Sequence, residues 1–184
     1  MKVAIALFTV LTIAGCDKES RHVTLARAER DFTEGHYHAA LDAFVDLIPT
    51  QGIPATIGAG WCEVRLGDYN SAANYFEQVS SDSMVDANAG WAFALWGLND
   101  PAGAIQKSDV ALTLDPDFVL SLDPRVTAST LHWVVAASYL QLSDYIKCIE
   151  SIQKLEPSFA PNPADPNIAN ILLAKLESLG GAQP

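Results

Sequence analysis

Cysteine is scarce, with three in 184 residues. That is too few for the disulfide framework on which small exported folds with little core depend. Basic residues are scarce as well: 11 Lys and Arg stand against 22 Asp and Glu, a formal net charge of −11. An acidic surface repels a phosphate backbone, so nucleic acid is not an expected partner. It repels anionic lipid equally, so the folded body is not expected to lie flat on a membrane. No apolar run reaches the roughly 20 residues of a spanning helix. No stretch keeps a period-two alternation for long, which argues against a sheet. Gly-x-Ser-x-Gly, a phosphate loop and a zinc-protease motif are all missing, and the carboxylates are scattered with no pair placed for acid–base work. No catalytic residue and no cofactor is therefore expected. His36 and His38 flank Tyr37, but two imidazoles fall short of the three or four ligands of a stable metal site, so no metal is expected either.

What is present begins at residue 1. Lys2 precedes a mostly apolar stretch, residues 3–13, and small residues follow at once, the layout of an export signal. The ending Ile13-Ala14-Gly15-Cys16 resembles the lipobox of bacterial lipoproteins. The resemblance implies cleavage before Cys16, a diacylglycerol on its sulfur and often acylation of the new amine. Two or three acyl chains hold a protein on a membrane where one does so only marginally. Residues 1–15 are then a signal peptide and 16–21 a lipid-anchored linker, and the protein is expected in the cell envelope, facing the periplasm. Asp17 is similar to the residue that retains enterobacterial lipoproteins in the inner membrane, which tilts the expectation slightly that way; an ordinary linker residue is the alternative.

The remainder repeats. Ala59-Gly60-Trp61 with Leu66-Gly67 returns as Ala89-Gly90-Trp91 with Trp96-Gly97, 30 residues on. A second pattern, Gly35, Tyr37, Ala40, Phe44, returns as Gly67, Tyr69, Ala72, Phe76, 32 residues on. Weaker copies run from Asp100-Pro101 through Ala104, Ser108 and Ala111, and from Ser143 through Tyr145, Cys148, Ile152 and Leu155. Each copy predicts a first helix that ends at the glycine, where the turn needs a permissive backbone, and then a second helix. One face of that second helix is apolar, as with Ala40, Phe44 and Leu47 or Ala72, Phe76 and Val79. Asp100 and Pro101 suit an N-cap and a first helical position. Pro49, Pro116 and Pro157 are expected to end their units.

On these residues the chain resembles the tetratricopeptide repeat family over 22–160. The resemblance implies an all-α, right-handed superhelical solenoid of about four helix pairs. Departures are Ser108 and Ile152 in place of the aromatic, Cys148 in place of alanine, a third unit without its tyrosine, and about ten extra residues, 117–126. Residues 161–184 hold a proline-rich connector and a last helix over 167–179, expected to cap the stack or else to fold into its groove. Cys62 and Cys148 fall in different units and are expected to be buried thiols.

The resemblance also implies that the first helix of each pair lines a concave surface. It assigns Leu25 and Phe32, then Ile57, Trp61 and Val64, then Ala87, Trp91 and Leu95, then Trp133 and Leu140 to an aromatic groove. Trp61 and Trp91 serve there or pack between units, while Trp96 and His132 read as packing. The function the resemblance implies is that of a membrane-anchored adaptor or scaffold binding a protein or peptide partner, with envelope assembly as its context. The alternative is a small-ligand accessory of a transport system taking a lipid or glycan.

Overall fold

The computed structural model describes residues 23–79 and 83–180; Cys16, Asp17 and the expected signal peptide and linker, residues 1–21, lie outside the described residues. Within them the chain is all-helical: α1 (Leu25–Thr33), α2 (Tyr37–Gln51), α3 (Ile53–Leu66), α4 (Tyr69–Val79), α5 (Val85–Gly97), α6 (Pro101–Leu114), α7 (Ala128–Gln141), α8 (Tyr145–Leu155) and α9 (Ile168–Ser178). Each helix packs on the next in sequence. The odd-numbered helices also pack on one another in series, α1 on α3, α3 on α5, α5 on α7 and α7 on α9. Among the described residues each even-numbered helix touches only its two chain neighbours.

One turn recurs after each odd helix from α1 to α7. Gly35, Gly67, Asn99 and Ser143 all have positive φ, between 58° and 82°. Each donates its N–H to the carbonyl three residues back, and the next residue donates to the carbonyl five before it, as in Gly67 to Val64 and Asp68 to Glu63. This is the Schellman closure, which satisfies carbonyls a helix end would leave open. Glycine takes the left-handed backbone freely, whereas Asn99 and Ser143 hold it at a cost. Asp100 and Asp144 then cap the following helix through the N–H of Gly103 and Lys147.

These turns set the true register at residues 35, 67 and 99, a constant step of 32. The 30-residue step seen in Ala-Gly-Trp is therefore two residues off, and two residues turn a helix by about 200°. Phe93 stands where Trp61 stands, and Gly90 where Gly58 does. Phe44 lies against Gly58 as Phe76 lies against Gly90. Trp61 is fully buried while Trp91 keeps an open side, covered by the Lys107 ammonium at 3.8 Å.

Pro49 does not end its helix. α2 runs on to Gln51 and stops at Gly52, whose φ is 58°. Pro116 and Pro157 do follow helix ends at Asp115 and Glu156. The last helix buries Ile168, Leu172 and Leu176 against α7 and α8, and Trp133 Nε1 donates to the Leu176 carbonyl at 3.0 Å. It does not pack on α1, α3 or α5.

Candidate functional site

The residues assigned to a groove separate into two groups. Phe32, Trp61, Val64 and Ala87 are at most 2% exposed and belong to the continuous core. For these the groove assignment is corrected: their side chains face neighbouring helices. Trp61 stacks edge-on against Phe76 at 5.9 Å, lies 5.7 Å from Phe93, and donates its N–H to the Asp86 carbonyl. Leu25, Ile57, Trp91, Leu95 and Trp133 are half-buried and pack against that core, as Leu140 packs on the smaller cluster beside α9. Trp133 meets Trp96 in a T-shaped pair at 5.5 Å, linking the third and fourth helix pairs.

The chain's own insertion packs into this core and reaches α1 and α3. Residues 117–126 leave α6, close on themselves and return to α7. Val119 bridges Thr127 in antiparallel fashion, Leu120 donates its N–H to Val126, and Ala128 donates to Phe118. Phe118, Leu120 and Val126 are 2%, 0% and 3% exposed, inside the core that contains Trp61 and Phe93. At the tip, Asp123 pairs with Arg65 near the end of α3, and both side chains are buried. Arg125 reaches the same carboxylate at 2.9 Å from the solvent side. Its guanidinium is held charged by Asp123 first and by the Tyr37 hydroxyl after that. Arg125 also holds the Asp123 carboxyl below its ordinary value, with burial opposing and the Arg65 charge adding. The hairpin tip therefore spans back to the first two helix pairs. The extra length was visible in sequence; its destination was not, because a ten-residue insertion has no periodicity to aim it.

Beyond the tip a cavity of about 340 Å³ remains between Ala26, Glu29, Arg30 and Thr33 of α1 and Ser121 and Leu122 of the hairpin. A larger open cleft, about 560 Å³, lies between α6, α7 and α8. Leu112 and Val135 give it apolar lining, and Asp109, His132, Tyr139, Lys147 and Lys154 line it with polar groups. Burial, then the Lys154 charge, lowers the His132 pKa, while burial raises that of Asp109. His132, read from sequence as packing, is a half-buried wall of this cleft.

At the first turn, Asp31, Glu34 and His36 place one ligand atom each within 4.8 Å of one another. Glu34 and His36 are exposed, and Asp31 already faces Arg27 at 3.7 Å. His38 is not part of the group. Such a set is satisfied as a solvated charge cluster. Cys62 and Cys148 are buried free thiols whose pKa burial pushes up to about 12, so neither offers a ready nucleophile. No helix among the described residues is long and apolar enough to cross a membrane. No protein-family model matches the chain, and the curated proteins searched contain no match to it.

Proposed function

We propose that this chain is a lipid-anchored helical-repeat adaptor that binds another protein and performs no chemistry itself. In this reading the odd helices form the inner, concave side of a right-handed solenoid and the even helices its outer side. The observation that carries it is the fourfold recurrence of one turn geometry, together with serial packing confined to the odd helices. Such stacking gives a long surface that contacts only neighbouring units, the property that repeat proteins use for binding. Cys16 supplies the membrane anchor in the periplasm-facing envelope, with Asp17 favouring the inner membrane.

Affinity capture of the full lipidated chain from a membrane extract, with mass spectrometry, tests the adaptor role. A reproducible protein partner supports it; none across repeated crosslinked captures removes it. Labelling with a palmitate analogue tests the anchor, with Cys16→Ala as control, and equal labelling of the two removes it.

The second reading, a small-ligand accessory, gains from the cleft between α6, α7 and α8, whose volume is in the range of small-molecule sites. Lipid or sugar co-purifying with the chain, and lost on His132→Ala, distinguishes it.

A further inference from the structure

We propose that the hairpin of residues 118–126 is a built-in occupant of the inner face, which a partner segment of the same chemistry replaces. The inference rests on the adaptor reading. Among the described residues, the backbone–backbone hydrogen bonds of 117–126 run within 115–128, and none joins α1, α3 or α5. The segment is a self-closed unit, so it can leave without opening a backbone ladder. Its grip on the helices is made by side chains alone: Phe118, Leu120 and Val126 in the core, and Asp123 on Arg65.

The face it covers is made to receive such a segment. Arg65 is buried and, among the described residues, pairs with Asp123 alone, while its Nε finds no acceptor there. A guanidinium so placed requires a carboxylate, from this chain or another, because an unpaired buried charge is strongly unfavourable. Beside the tip, the cavity against α1 leaves the hairpin edge unsealed where an incoming chain would start. The fitting partner is thus an extended protein segment with a large apolar side chain, a second two residues later, and Asp or Glu three residues after that. That is the spacing of Phe118, Leu120 and Asp123.

The probe is a fluorescent peptide of residues 117–127, titrated against the full chain carrying Cys16→Ser for solubility, with and without Leu120→Ala. A tethered segment acts at an effective concentration in the millimolar range, so it excludes micromolar peptide from the unaltered face. Leu120→Ala loosens the tether, and binding tightens by about a hundredfold. The same peptide with Asp123→Ala binds neither chain. Equal binding to both chains, or no binding to a Leu120→Ala chain that is still helical, overturns the proposal. If Leu120→Ala does not fold, hydrogen exchange on the chain with native residues 23–180 decides. The Leu120, Asp123 and Val126 amides are expected to exchange through an opening that leaves α3 and α5 protected; exchange only in step with those helices overturns it. A captured partner that crosslinks to the even helices alone also sinks the hairpin proposal and spares the adaptor. Absence of any partner removes the adaptor and leaves the peptide result to stand for the hairpin.

Discussion

Arg65 and Asp123, 58 residues apart in sequence, form an ion pair in which the two side chains are only 8% and 7% exposed. The pair ties the junction of the third and fourth helix pairs to the second. Its two halves are not equivalent. Asp123 also holds Arg125, whereas Arg65 meets no second carboxylate among the described residues. Removing the acid leaves a buried guanidinium unpaired, and breaking a buried pair in this way costs about 3–5 kcal/mol. Asp123→Ala is therefore expected to destabilise the fold by that amount and Arg65→Ala by less, since Arg125 still answers the carboxylate. Urea unfolding midpoints check the order; an equal or reversed order would falsify the asymmetry.

The same carboxylate sets an acid limit. Its folded pKa lies below the ordinary 3.8, owing first to the Arg125 hydrogen bond. A depressed folded pKa contributes stability above the unfolded value and loses it as pH falls through the folded one. Asp86 and Asp109 act oppositely: burial raises both, so their ionisation opposes folding and acidification toward the ordinary value relieves them. Burial lowers the His132 pKa, so protonation of the unfolded imidazole below its ordinary 6.5 costs stability and opposes the relief of Asp86 and Asp109. Below about pH 4 the loss from Asp123 adds and stability is expected to fall. In Asp123→Asn the final fall becomes shallower. Urea midpoints between neutral and acid pH measure both curves, and superimposable slopes below that pH would contradict this account.

Gly60 and Gly90 sandwich one ring. A Cβ at Gly90 would stand 2.2 Å from Phe76 Cζ, and one at Gly60 2.8 Å from the same ring. Phe76 cannot retreat from one glycine without meeting the other. Overpacking of this kind costs about 1–3 kcal/mol. Gly90→Ala is expected at the upper end and Gly60→Ala below it, by thermal or urea unfolding. A Gly90→Ala chain as stable as the parent would show that α4 and α5 can slide apart.

Trp61 and Trp91 separate structural from surface tryptophan. Trp61→Ala empties a fully buried site and loses the hydrogen bond to the Asp86 carbonyl, an expected loss of about 3–5 kcal/mol. Trp91→Ala removes a half-buried ring beneath Lys107 and costs less. Circular dichroism on urea titration ranks them. Loss of partner capture in Trp61→Ala without loss of stability would return that residue to a binding role.

The local levels of the fold were legible in the residues. Gly35 and Gly67 marked turns because glycine takes the positive φ of this helix closure without strain, whereas Asn99 and Ser143 close the same turn without advertising it in the letters. Asp100-Pro101 marked a helix start, and the spacing of Ala72 and Phe76 marked an inward face. Register was less legible. Two repeat steps, 30 and 32, were both present in the letters, and only the turn hydrogen bonds choose 32. The wrong step rotated Trp91 onto the side occupied by Trp61.

Sequence by itself determined that this chain is helical, paired and acidic, because backbone preference, apolar period and charge are properties of neighbours along the chain. Tertiary structure alone decided which tryptophan is core and where residues 117–126 go. Those outcomes depend on Arg65 meeting Asp123, and on Phe118 and Leu120 finding the core of distant helices. Contacts between residues far apart in the chain leave no periodic trace in the letters that make them.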